Sequence, residues 1–209
     1  MKSYRKHALG VAFGAAMVFA AAIQAADGVT VTSSMRSVSE RGAVNSLIVS
    51  VGGQRVSLIV PPGWQSGVNS AQDCLVLQSP DFGTRVAIGL ADESQSASSS
   101  QSSAGKSGKA ANLAGSADWQ QKLQNLKDQL VSKAGRAQVQ REFAWPTRLG
   151  DAGAIDLEQV AAGNLRLTTR TLYLPRQSEV LEIQITCVPG KLEAGEKALR
   201  NLLASLRPE

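Results

Sequence analysis

Asp156 and Glu158 stand two residues apart in a β-rich stretch, so they share one face of a strand. Paired carboxylates of this kind can carry acid–base work or hold Ca²⁺. They also fit a plainer role, as part of an exposed polar face with cations nearby. If Ala162-Gly163-Asn164 forms a three-residue loop, Ala161 opposes Leu165 and Asp156 opposes Arg170. A cross-strand charge pair between Asp156 and Arg170 would contribute roughly 0.2–1 kcal/mol. The structural role is the preferred reading.

Other chemistry is scarce. The single histidine, His7, lies in an N-terminal segment that is expected to be removed. Without it neither a Ser-His-Asp nor a Cys-His nucleophile system can be assembled, and zinc cannot be held by histidine. Gly105-Lys106-Ser107 has the end of a phosphate-binding loop, but Ser100 stands where that motif needs its first glycine. Ser103-Ala104-Gly105-Lys106 matches Ser-x-x-Lys, and Lys106-Ser107-Gly108 resembles Lys-Thr-Gly. The two would share Lys106, whereas penicillin-binding enzymes place them on opposite walls of one site. Both fall in low-complexity sequence, where chance accounts for them. No catalytic, cofactor-binding or metal-binding residue is therefore assigned, and the chain is read as a non-enzyme.

The N-terminus sets the compartment. Lys2, Arg5 and Lys6 precede an apolar run from Ala8 to Ile23, followed by small residues around Ala25. That is the layout of a secretory signal peptide over residues 1–25, and the run is short of a spanning helix. Its removal leaves 184 of the 209 residues and, with three cations gone, lowers the net charge from +5 to +2. A strongly cationic surface for nucleic acid is thus not expected. The mature chain is expected in the periplasm or the medium, with no stable membrane insertion. An oxidising compartment permits Cys74 and Cys187 to pair, while each also sits in an apolar run where a free thiol behaves as a small hydrophobe. Both alternatives stand.

The remaining elements follow from patterning. Residues 26–46 read as a partly disordered leader arm, with one short strand at Val29 to Thr32 at most. Leu47–Val51 and Gln54–Val60, joined by Gly52-Gly53, read as a hairpin with a primed turn. Asp73–Gln78 and Arg85–Leu90 make a second hairpin around Ser79-Pro80-Asp81-Phe82-Gly83-Thr84, where glycine tolerates positive φ. From about 92 to 117 the sequence is Ser-rich with little to bury, and a flexible insertion is expected. Trp119, Leu123, Leu126 and Leu130 then recur at helical spacing. Strands are expected at 138–143, 154–160, 165–174 and 179–188, and a closing helix at 192–206. Alternation and short turns indicate an antiparallel sheet flanked by two main helices, in the α+β class. Trp119 is read as core and Trp64 as a plug at one end of the sheet. Trp64, Trp119 and Trp145 together leave open an aromatic ligand site.

A strand running into Pro61-Pro62-Gly63-Trp64, Ser79-Pro80 after the next strand, the helix from Trp119 and the closing helix resemble the PsbP-like fold family. That family includes bacterial extracytoplasmic PsbP/DcrB-like proteins. The resemblance spans roughly residues 47–207 and implies a single α/β/α sandwich domain. Ser205-Leu206 departs from the Ser-Phe with which members often end, and the Ser-rich insertion is a second departure. The resemblance supplies no catalytic residue. A non-enzymatic envelope or secreted protein that binds another protein or assists an assembly is the leading expectation, with an unknown envelope protein as partner and no cofactor. A small-ligand or lipid-binding protein is the alternative.

Overall fold

The computed structural model describes residues 28–39, 42–91, 117–135, 137–160, 164–176 and 179–209. The proposed signal segment and almost all of the Ser-rich insertion lie outside the described residues. The described residues form eleven strands and two helices, ordered β1 (Thr30–Val38), β2 (Gly42–Val51), β3 (Gln54–Ile59), β4 (Gln65–Asn69), β5 (Cys74–Gln78), β6 (Thr84–Leu90), α1 (Ala117–Lys133), β7 (Gln138–Thr147), β8 (Gly150–Val160), β9 (Arg166–Arg176), β10 (Glu179–Cys187), α2 (Leu192–Ser205) and β11 (Arg207–Pro208).

These strands build two sheets, where the sequence pattern suggests one. The larger has seven strands in the order β4-β5-β6-β10-β9-β8-β7, and the smaller has four in the order β1-β2-β3-β11. All pairings are antiparallel. The α+β reading thus stands in its coarse form. The residues read as a leader arm are instead largely strand: β1 pairs along its whole length with β2, from Thr30↔Ser50 to Val38↔Gly42. The polar Ser33, Ser34 and Ser37 hid this strand, because an edge strand with exposed residues is held by its ladder more than by a hydrophobic face.

The two faces of the large sheet are covered differently. On one face α1 packs Trp119, Leu123 and Leu126 against Ile155, Leu157, Tyr173 and Val180. On the other, Leu199, Leu202, Leu203 and Leu206 join Ile183, Ile185, Leu172 and Leu174, together with Val49, Val56 and Leu58 of the small sheet. Full burial of each such leucine is worth roughly 1.5–3 kcal/mol. Each helix packs closely at a glycine, Gly153 of β8 under α1 and Gly195 within α2. A Cβ on Gly153 would lie 2.5 Å from the Leu123 methyls, and one on Gly195 would lie 2.6 Å from Cys187 Sγ. Ser205, at the end of α2, accepts a hydrogen bond from Ile59 N at 2.9 Å and donates to Leu202 O, tying the helix end to β3.

The first hairpin turns through Gly52 and Gly53, both with positive φ, as a primed turn requires. In the second turn the positive φ falls on Phe82 (56°) and not on Gly83. That geometry is fixed by Ser79 and Asp81: Asp81 Oδ1 accepts from Gly83 N and Ser79 Oγ, and Ser79 Oγ accepts from Thr84 N.

The cysteines are kept apart. Cys187 pairs with Thr84 at one end of β6, while Leu75 pairs with Ile88, which sets Cys74 beside Gly89 near the other end. Five residues of strand separate them by roughly 17 Å. Alternation also puts them on opposite faces, with Cys187 toward α2. A disulfide needs Cα atoms within about 7 Å. Both thiols are free and buried, and burial pushes each thiol pKa up. Titration of unfolded, unreduced protein should therefore find two thiols per chain, and native protein should react only as fast as it opens. A count of zero would contradict this arrangement.

Candidate functional site: an arginine and aromatic groove between β7 and α2

β7 is an edge strand of the large sheet, and an irregularity early in it decides what that edge presents. Gln138 and Val139 pair with Glu158 and Leu157, but the next pairing is Arg141↔Asp156, so β7 carries one extra residue at this point. Because side chains alternate, one inserted residue exchanges the two faces for everything downstream. Arg141, Phe143 and Trp145 consequently join Asp156, Ala154 and Ala152 on the face toward α2. Without the bulge, Gln140, Glu142 and Ala144 would stand there.

The register Asp156↔Arg170 extends the row across β9. Arg170 Nε and Nη2 donate to the two oxygens of Asp156 at 2.7 and 2.9 Å, a bidentate pair. Its third nitrogen, Nη1, lies 3.3 Å from Glu196 Oε2 on α2. The guanidinium carbon also sits 5.0 Å from the Phe143 ring centroid and 4.9 Å from that of Trp145. This pair does not form the exposed polar face expected from the sequence: Arg170 is 2% and Asp156 7% accessible. Burial alone would lower the arginine pKa, but the Asp156 and Glu196 carboxylates outweigh it and hold the value above normal.

Two further arginines lie over the same rings. Arg141 stacks 4.2 Å from the Phe143 centroid and approaches Asp156 Oδ2 at 3.4 Å. Arg200 stacks 5.0 Å from the Trp145 centroid and bonds Glu196 Oε1 at 2.7 Å, one turn along α2. Their side chains are 57% and 65% accessible, in contrast to Arg170 between them. The groove has a volume of about 610 Å³ and is open to solvent, with Leu203 and Ala204 continuing the α2 wall and Thr147 and Arg148 ending the β7 wall.

Asp156 and Glu158 share a face as expected but serve separate pairs. Glu158 pairs with Arg166 at 3.1 Å, while both Asp156 oxygens are occupied by arginine. The geometry does not combine them into one acid–base site. Among the described residues there is no group of three or more His, Cys, Asp or Glu placed to hold a metal. The sequence reading singled out Trp145, Asp156 and Arg170 and missed Arg141, Phe143, Glu196 and Arg200. The alternation Arg141-x-Phe143-x-Trp145 and the one-turn spacing of Glu196 and Arg200 were visible signals, but nothing local joins them.

No protein-family model matches the chain, and no curated protein matches it in sequence. Among solved structures, the chain is similar to LpqN of Mycobacterium tuberculosis, described as involved in cell envelope biogenesis. The TM-score is 0.47 at 10% identity, over 85% of this chain and 91% of that one. It is also similar to the PsbP protein CyanoP of Synechocystis sp. PCC 6803, with a TM-score of 0.43 at 8% identity, over 94% of this chain and 99% of that one. Neither likeness bears on the groove, whose properties come from its own geometry.

Removing one partner of a buried ion pair leaves an uncompensated charge. Asp156→Asn should cost about 3 kcal/mol in a urea melt. The double variant Asp156→Leu/Arg170→Met should cost less than that single change, because no buried charge remains. Glu196 adds a pH dependence. The hydrogen bond from Arg200, reinforced by Arg170, holds its carboxyl below the ordinary value although burial opposes this. A lowered folded-state pKa contributes stability that is complete above the unfolded value and lost as pH falls through the folded one. Stability should thus decline below about pH 4.5, and Glu196→Gln should flatten that decline in melts run across the acid range.

Proposed function

We propose that the protein is a non-enzymatic, extracytoplasmic binding protein whose partner is another protein of the envelope, and that the groove between β7 and α2 is where the partner docks. The observation that carries this reading is the contrast within one charge network. Asp156, Glu196 and Arg170 are tied to one another, so their charges are spent inside the network. Arg141 and Arg200, stacked on aromatic rings, keep their guanidinium edges toward solvent. Ring stacking fixes such side chains before any partner arrives, which lowers the entropy lost on binding. Guanidiniums along both walls also make the groove a poor enclosure for a lipid tail. Among the described residues, no helix is long and apolar enough to cross a membrane.

Site-specific photocrosslinking in the native envelope tests this. A photoreactive residue placed at Thr147, half-buried, or Ala204, exposed, both lining the groove, should yield the same discrete protein adduct. The same residue at Gln121, exposed on α1, should not. Adducts only from Gln121, or none from either groove position, would refute the reading. So would hydrolase or transferase turnover in the purified protein that is lost on substituting Asp156 or Glu158.

A further inference from the structure

We propose that the groove recognises an extended acidic segment, a run of about six residues with carboxylates near both ends. This rests on the protein-binding reading above and adds the chemistry of the partner.

The first support is charge. The face presents arginines without lysine among the groove's lining residues. Arg148, at the turn that ends β7, is exposed. It lies near a second group, in which burial and then Arg207 lower the Arg36 pKa, Glu209 opposes them and Arg148 adds to the lowering. Arg36 itself is spent on structure, donating to Ser205 O at 2.8 Å and Ser57 Oγ at 2.7 Å. Positive charge therefore continues from the groove past its end. The acids within it, Asp156 and Glu196, are each held by two arginines. What remains for a partner is a net excess of guanidinium.

The second support is spacing. Arg141 and Arg148 stand at opposite ends of the β7 wall, and six residues of strand between them measure roughly 20 Å. A single phosphate or carboxylate cannot bridge that distance, whereas six or seven extended residues can. Arg200 projects from the facing wall between those ends. Planar guanidiniums match carboxylates in bidentate fashion, and the rings beneath Arg141 and Arg200 hold them by stacking. The aromatic groups do not suit a membrane surface, since Trp145 is buried under the guanidiniums and cannot enter a bilayer.

The test is a fluorescence-anisotropy titration of the purified chain with a labelled nine-residue peptide alternating Glu and Ser. Saturable binding that weakens with added salt is expected, with no binding of the Lys-for-Glu peptide. Arg141→Gln/Arg200→Gln should weaken binding about tenfold, the scale of two exposed ion pairs, while loss of their bonds to Asp156 and Glu196 lowers the melting temperature by a few degrees at most. Arg141→Lys/Arg200→Lys should recover only part of the loss, since charge returns without the planar fork. Arg148→Glu, remote from the buried network, gives a second measure and should also weaken binding. The proposal is overturned if the Glu peptide fails to saturate, or if the Gln variants and Arg148→Glu bind as well as the native chain. It is equally overturned if inorganic phosphate, phosphatidylglycerol vesicles or an oligothymidylate competes as effectively as unlabelled peptide. A groove adduct in the envelope combined with no peptide binding would refute this inference alone and leave the docking reading intact.

Discussion

The buried charge of Arg170 constrains more of this structure than any other single group. A guanidinium taken out of water costs several kcal/mol unless its hydrogen-bond donors and its charge are both satisfied. Here the satisfaction comes from three directions: Asp156 on the neighbouring strand, Glu196 on α2, and the faces of Phe143 and Trp145 on the edge strand. Each partner sits on a different element, so the positions of β7, β8, β9 and α2 are coupled through one side chain. A slip of one residue between β8 and β9 would turn Arg170 toward the α1 face, beside Ile155 and Leu157 and away from Asp156 and Glu196.

The groove is a by-product of how that charge is satisfied. Ala152 and Ala154 leave room above β8, which the two rings and the guanidinium of Arg170 enter from either side. The rings then offer their outer faces to Arg141 and Arg200, which cannot be buried as well because the available carboxylates are already shared. An excess of positive charge thus sits at the surface over a rigid aromatic floor. Asp156 and Glu196 are each bound by two arginines.

Rigidity on the far side of the sheet comes from closeness of approach. Gly153 lets α1 settle onto β8, and Gly195 lets α2 settle onto β10. The two helices clamp the sheet from opposite faces, with Leu206 and the Ser205 hydrogen bonds securing the end of α2 against β3. The groove's helical wall is therefore anchored at the end nearest Leu203 and Ala204, which line it.

Much of the architecture was legible from local pattern. The glycine pair of the first hairpin, the leucine stripes of both helices and the alternation of β10 each depend on residues close in the chain, and each appears where expected. The opposition of Asp156 and Arg170 was also legible, since loop length sets antiparallel register. What the pattern could not supply was depth: an aspartate and an arginine on alternating positions look like an exposed face until α2 and β7 are known to close over them. The strand β1 was hidden because its ladder with β2 stabilises a serine-rich sequence that carries little hydrophobic alternation. The distance between Cys74 and Cys187 was equally hidden, as both read as strand residues and only the order β5-β6-β10 sets them on opposite faces. The bulge at Val139 to Arg141 is the clearest case. By itself the sequence determined which residues alternate along β7, but only tertiary pairing with β8 decided which alternate set faces α2, because one extra residue in an antiparallel ladder exchanges the faces without leaving a mark in composition or period.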